Sequence, residues 1–117
     1  MLLKQFLNII FIGFLITGCT KNKVQQSIEN PSRENSSLPR LYTDNKNTVF
    51  MSWIEQEGEI ATLYYSKFLD KTWSDPIQVD KSDEWFVNWA DYPSIIAYDG
   101  NPMATHWLKK IPGNTYS

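Results

Sequence analysis

The chain has a single cysteine, Cys19, and a single histidine, His106. One cysteine excludes an intramolecular disulfide. A histidine without a second histidine or a cysteine near it makes a poor metal site, and no other pattern calls for a cofactor. His106 reads as a polar strand residue. There is no glycine-rich phosphate loop, no Gly-x-Ser-x-Gly turn and no telling nucleophile–base spacing. Basic residues are neither in excess nor clustered: 11 Lys and Arg stand against 13 Asp and Glu. That balance argues against a nucleic-acid partner. The apolar run over residues 6–16 is short for a membrane span. Nothing in the sequence sets an oligomeric state.

What is present begins with an address. Lys4, the apolar run and small residues at its end describe a secretory signal peptide over residues 1–18. Ile16-Thr17-Gly18-Cys19 has the form of a bacterial lipobox, in which the cysteine is lipidated and becomes the first mature residue. A lone cysteine in an exported chain is thereby explained, since the flanking Thr20-Lys21-Asn22-Lys23 is too polar to bury a thiol. Acyl chains on Cys19 would anchor the protein to a bacterial envelope membrane without spanning it. Cleavage removes Lys4 and leaves 10 basic against 13 acidic residues. Residues 19–37 are polar and read as a flexible tether.

From Leu38 the texture becomes strand-like. Leu38 to Thr43 forms a first strand, and Asp44-Asn45-Lys46-Asn47 is turn chemistry. Thr48 to Ile54 follows, with Val49, Met51 and Trp53 on one face and Phe50 and Ile54 on the other. Apolar residues on both faces predict a sheet covered on both sides. Ile60 to Phe68 is a third strand, Asp70-Lys71 a tight turn, and Trp73 restarts the sheet. Ile77-Gln78-Val79 is a fourth strand, which tolerates Pro76 if it lies on an edge.

The pattern then returns. Leu38-Pro39 recurs as Tyr92-Pro93, Leu41 as Ile95, Asn47 as Asn101, Trp53 as Trp107 and Ile54 as Leu108, all 54 residues apart. A repeat of about 50 residues with four short strands is the mark of a β-propeller blade. The expected fold is therefore all-β, a β-propeller of four-stranded blades. Only about one and a half blades are present, against the roughly 4–8 that a propeller needs. Residues 38–90 would form the first blade and its link, and residues 91–117 an incomplete second one. The chain thus reads as the amino-terminal piece of a longer protein or as a truncated product.

Ser66, Asp70 and Trp73 carry a resemblance. The Asp-box turn of sialidase-like (BNR-repeat) propellers reads Ser-x-Asp-x-Gly-x-x-Trp. Ser66 and Trp73 match it in register, while Phe68 stands at its Asp and Asp70 at its Gly. The segment from Asp83 to Ser94, with His106-Trp107-Leu108, is similar to bacterial lipoproteins classed as exo-α-sialidase-like. The resemblance covers residues 38–117, roughly two thirds of the chain. It implies a six-bladed propeller, with Asp-box turns opposite the active face and a structural role for Ser66, Asp70 and Trp73. It also implies a substrate-binding Arg in an Arg-Ile-Pro motif. Here Ser37-Leu38-Pro39 puts Ser37 at that position. Arg40 lies three residues later, which by strict alternation would turn it to the opposite face. The family's acid/base Asp finds only Glu55, Glu57 and Glu59 in the corresponding loop.

The active face of such a blade would carry residues 55–59, 80–91 and 109–114. The middle segment combines Asp83, Glu84 and Asp91 with Trp85, Phe86 and Trp89. Aromatic rings beside carboxylates suit sugar recognition: the ring covers the apolar face of a pyranose and the carboxylate accepts hydroxyl hydrogen bonds. The same aromatics equally suit packing between blades. The candidate substrate-binding residues are Asp91, Trp89, Trp85, Glu57 and Arg40, with a glycan or glycoconjugate as partner. Two functions stay open: a membrane-anchored sialidase-like hydrolase, or a non-catalytic carbohydrate- or protein-binding propeller. Fold alone does not choose between them.

Overall fold

Alternating apolar residues and left-handed turns make this chain a run of antiparallel strands. The computed structural model describes residues 26–113. Cys19, residues 1–18 read as a signal peptide, and Tyr116-Ser117 lie outside them. Among the described residues the protein is all-β, with nine strands and no helix. Hence no described helix is long and apolar enough to cross a membrane.

β1 (Ser36–Thr43), β2 (Val49–Glu57) and β3 (Ile60–Leu69) form an antiparallel meander. β4 (Thr72–Trp73) and β5 (Ile77–Ser82) both pair with β3, one near each end of it. They act as one edge strand interrupted at residues 74–76, which is where Pro76 is tolerated. The interruption is bridged: Ser66 Oγ donates to the Ser74 carbonyl at 3.0 Å, and Ser74 Oγ accepts from the Lys67 N–H at 3.0 Å. Asp70 and Lys71, at φ of 48° and 69°, close the β3–β4 turn in the left-handed region. Two left-handed residues give the turn the twist that a two-residue hairpin requires.

The second part is smaller. β7 (Ser94–Tyr98) pairs with β8 (Asn101–His106), and β9 (Leu108–Lys109) pairs with β6 (Trp85–Phe86). Trp85 and Phe86 therefore join the second repeat by hydrogen bonding, although they precede residue 91. No sheet closes on itself among the described residues.

β1 begins at Ser36, inside the stretch read as tether, because Ser36 and Ser37 pair with Glu55 and Ile54. Backbone pairing needs no apolar side chain, so the polar sequence concealed it. A β-bulge follows. Ser37 faces Ile54 and Arg40 faces Ser52, with Leu38 at φ 55° taking up the extra residue. Ile54 and Ser52 share a face of β2, so Ser37 and Arg40 share that face too. Strict alternation puts Arg40 on the opposite face; the bulge restores it. Pro39, lacking an N–H, fits where the ladder is broken.

The core lies between the two parts. Phe50 and Ile54 of β2 and Ala61, Leu63 and Tyr65 of β3 pack with Trp85, Ile95 and Ala97. Phe50, Ile54 and Leu63 are fully buried. Each such side chain contributes about 1.5–3 kcal/mol on leaving water. Trp53, on the opposite face of β2, is also buried and stacks on Tyr64 at 6.0 Å between centroids. Burial on both faces agrees with the two-sided apolar pattern of this strand.

The contacts between the two parts keep the 54-residue offset. Arg40 donates to Ser94 Oγ at 2.8 Å, and the Asp99 N–H donates to Asn45 Oδ1 at 2.7 Å. Both pairs join residues at equivalent positions, 54 apart. Asp44 is the hub of this seam. Its buried carboxylate accepts from the N–H groups of Lys46 and Thr48 and, across the seam, of Gly100 at 2.6 Å. Burial pushes its pKa up, but these three backbone bonds and the Lys46 charge outweigh it, and the net displacement is downward. Lys46 also meets Asp99 at 2.6 Å.

Candidate functional site

Strand directions sort the loops into two ends. The 44–47, 70–71 and 99–100 turns lie at one end, where β1 and β7 finish. The β2–β3 turn and the start of β7 lie at the other. The Asp-box-like turn is therefore opposite the Glu57 turn. A polar groove between residues 26–31 and 71–76 lies on the side of the 70–71 turn.

At the Glu57 end the three segments singled out in the sequence meet. Lys110 Nζ lies 3.8 Å from Glu59 Oε2 and donates to the Asp83 carbonyl at 2.8 Å. Lys109 Nζ pairs with Glu84 Oε2 at 3.0 Å, and the Lys110 N–H donates to the Glu84 carbonyl at 2.8 Å. These ion pairs are exposed, so each adds little stability. Their value is geometric: they hold the 83–84 and 109–110 segments beside the β2–β3 turn.

The two candidate tryptophans part company. Trp85 is 3% exposed and packs on Trp107 at 5.5 Å between ring centroids. Its ring belongs to the core and offers no face to a ligand. Trp89 is 86% exposed. It sits at the tip of a small turn that Asn88 closes. Asn88 Oδ1 accepts from the Ala90 and Asp91 N–H groups at 2.8 and 2.6 Å, and the Asn88 N–H donates to the Asp91 carbonyl at 2.8 Å. Asn does this well because its short amide mimics a backbone group two residues on. Asp91 is half-buried, and its carboxylate makes no hydrogen bond or ion pair among the described residues. The turn therefore carries an open indole and an uncommitted carboxylate, two residues apart, on a braced backbone.

Glu57 is exposed and its carboxylate is likewise uncommitted, whereas neighbouring Glu55 is buried and receives the Trp53 indole N–H at 3.1 Å. Arg40 is not beside Trp89 in any hydrogen-bonded sense; it belongs to a separate cluster. Arg40 holds Ser94 Oγ, which in turn lies 3.2 Å from His106 Nδ1. Sequence reasoning missed this cluster, because it set His106 aside as isolated. Part of the signal was available: Arg40 and Ser94 are equivalent positions of the repeat, whereas the pairing of Ser94 with His106 across β7 and β8 is shown by the structure. Ser94 is buried, so the cluster links the two parts rather than presenting a nucleophile. No group of three or more His, Cys, Asp or Glu suited to a metal occurs among the described residues. Trp73 packs on Phe68 at 5.1 Å, and Ser66 is fully buried beside the β3–β4 turn.

In comparisons with known proteins, no family model, no curated protein and no solved structure matches the chain.

Proposed function

We propose that this is an exported, lipid-anchored protein of propeller type that binds carbohydrate through the turn carrying Trp89 and Asp91. The observation that carries the reading is Trp89 itself. An indole held 86% in water on a braced turn gains nothing for folding. Such a ring stacks well on the apolar face of a sugar, with Asp91 accepting hydrogen bonds from its hydroxyls. Glu57 is a further acceptor at the same end of the sheets. The propeller assignment is supported by the repeat-equivalent seam contacts and by the interrupted fourth strand at the Asp-box-like turn. The lipid anchor rests on Ile16-Thr17-Gly18-Cys19.

Glycan-array binding of the wild type, Trp89→Ala and Asp91→Asn tests the reading, with thermal unfolding of all three. Both substitutions should weaken binding at unchanged unfolding temperature. Intact affinity in both variants would remove this turn as the site. A sialidase-like hydrolase is the second reading, and the bulge favours it by returning Arg40 to the face of Ser37. Release of sialic acid from a fluorogenic sialoside, lost in Arg40→Ala, is its test.

A further inference from the structure

The residues before β1 are folded against the sheet. The Ser36 N–H donates to the Arg33 carbonyl at 3.1 Å, and Ser36 Oγ donates to Ser32 Oγ at 2.8 Å. Asn35 Nδ2 donates to the Gln56 carbonyl at 3.4 Å. Arg33 lies 3.7 Å from Glu55 Oε2, on a side chain only 6% exposed. Losing Arg33 would leave that buried carboxylate uncompensated. These contacts sit beside the β2–β3 turn. Going back along the chain, residues 26–31 share a groove with residues 71–76. The segment therefore runs from the Glu57 end toward the 70–71 turn, and Gln26 lines the groove there. Its polarity alone suggests a free tether over residues 19–37. The folded contacts leave only residues 20–25 between Cys19 and the groove. Seven residue steps separate Cys19 from Gln26, and in any conformation they reach at most about 25 Å. A free chain from Cys19 to Ser36 would reach about 60 Å. β3, ten residues long, spans about 33 Å. The leash is thus shorter than the sheet.

We propose that the end of the sheet carrying the 70–71 turn faces the anchoring membrane, and that the turn carrying Trp89 and Asp91 faces away from it. This rests on the lipid anchor at Cys19 proposed above. Acyl chains hold Cys19 at the lipid surface. Turning the molecule over, with the Glu57 end down, would raise Gln26 by about the length of β3, beyond the reach of the leash. Charge acts in the same direction, since the uncommitted carboxylates of Glu57 and Asp91 lie at the far end and an anionic leaflet repels them. Further repeats would extend the molecule beside this sheet and leave the leash unchanged. A glycan that reaches Trp89 then comes from beyond the protein, not from the anchoring lipid surface.

The test reads the two ends separately. The full-length acylated protein, carrying Lys71→Cys or Glu59→Cys, is labelled with a donor dye. It is bound to vesicles of phosphatidylcholine and phosphatidylglycerol that carry acceptor dyes on their headgroups. The Cys19 thiol is acylated, so each variant has one reactive thiol. Both positions are exposed, so circular dichroism should match wild type. Transfer from position 71 should exceed transfer from position 59 at least about twofold, because about 30 Å of β3 separates them. Inserting about 20 Gly and Ser residues between residues 25 and 26 lengthens the leash and should abolish the difference. If either variant misfolds, Asp70→Cys and Gln56→Cys mark the same two ends. Flotation of the vesicles is followed in the same samples. Floating protein with equal transfer from both positions, or more from position 59, would overturn the orientation and leave the anchor standing. A difference that survives the insertion would overturn the leash as its cause. Protein that does not float overturns the anchor and the orientation together.

Discussion

Trp85 and Trp89 are four residues apart, and replacing each by alanine should have opposite consequences. Trp85 is 3% exposed and lies in the seam against Trp107, with the cluster around Phe50 and Ile95. Truncating a buried tryptophan costs about 3–5 kcal/mol, through lost transfer energy and the cavity left behind. The total stability expected for the described residues is about 4–13 kcal/mol, at 0.05–0.15 kcal/mol per residue. Trp85→Ala therefore removes a large fraction of it. At about 4–8 °C per kcal/mol, the unfolding temperature should fall by about 12–40 °C. Trp89→Ala exposes no cavity, and surface changes stay within about 0.5 kcal/mol, a shift of under about 4 °C. Differential scanning calorimetry of the two variants gives both numbers. The carbohydrate readout should be reversed: Trp89→Ala loses binding, while Trp85→Ala retains it in the folded fraction. A large drop in unfolding temperature for Trp89→Ala beside a small one for Trp85→Ala would refute the assignment of packing to one and recognition to the other.

Acid should weaken the seam through Asp44. Its folded-state pKa lies below the ordinary 3.8, so its stabilisation is complete above that value and is lost as pH falls through the lowered one. Asp44→Asn should remove this part of the acid dependence, seen by urea melts between about pH 2 and 6, because an amide does not titrate there; it should also lower stability at neutral pH, since its N–H₂ cannot accept from the Gly100 N–H. Ser66→Ala deletes a fully buried hydroxyl and leaves the Ser74 carbonyl without its donor. It should cost about 1–2 kcal/mol by chemical denaturation. Lys71→Gly should stabilise the β3–β4 turn by about 0.5–1 kcal/mol, since Lys71 sits at φ 69° and glycine pays no Cβ penalty there; a loss of stability would contradict the turn geometry. Cys19→Ser should release the protein from membranes and abolish acyl labelling, and retained labelling would exclude the anchor.

Strands β2 and β3, the turn at Asp70-Lys71 and the 54-residue repeat were legible in the sequence, because they depend on local rules. A period of two marks a strand, Asp tolerates a left-handed φ, and a repeat declares itself by spacing alone. The pairing of polar Ser36 and Ser37 was not legible, since main-chain hydrogen bonds leave no trace in side-chain polarity. Nor was the face of Arg40. One extra residue at Leu38 reverses every side chain after it, and that residue is accommodated by pairing with β2, not by any preference of Leu or Pro for a bulge. The fates of Trp85 and Trp89 likewise depended on neighbours distant in sequence. Composition offered two aromatics beside carboxylates and could not rank them. Trp107 and the Phe50 cluster claimed one ring, and the Asn88 turn carried the other into water. The sequence by itself thus determined strands, turns and repeat, whose causes lie within a few residues. Tertiary structure alone decided which residues face the seam and which face solvent, because burial is a property of what packs against a side chain.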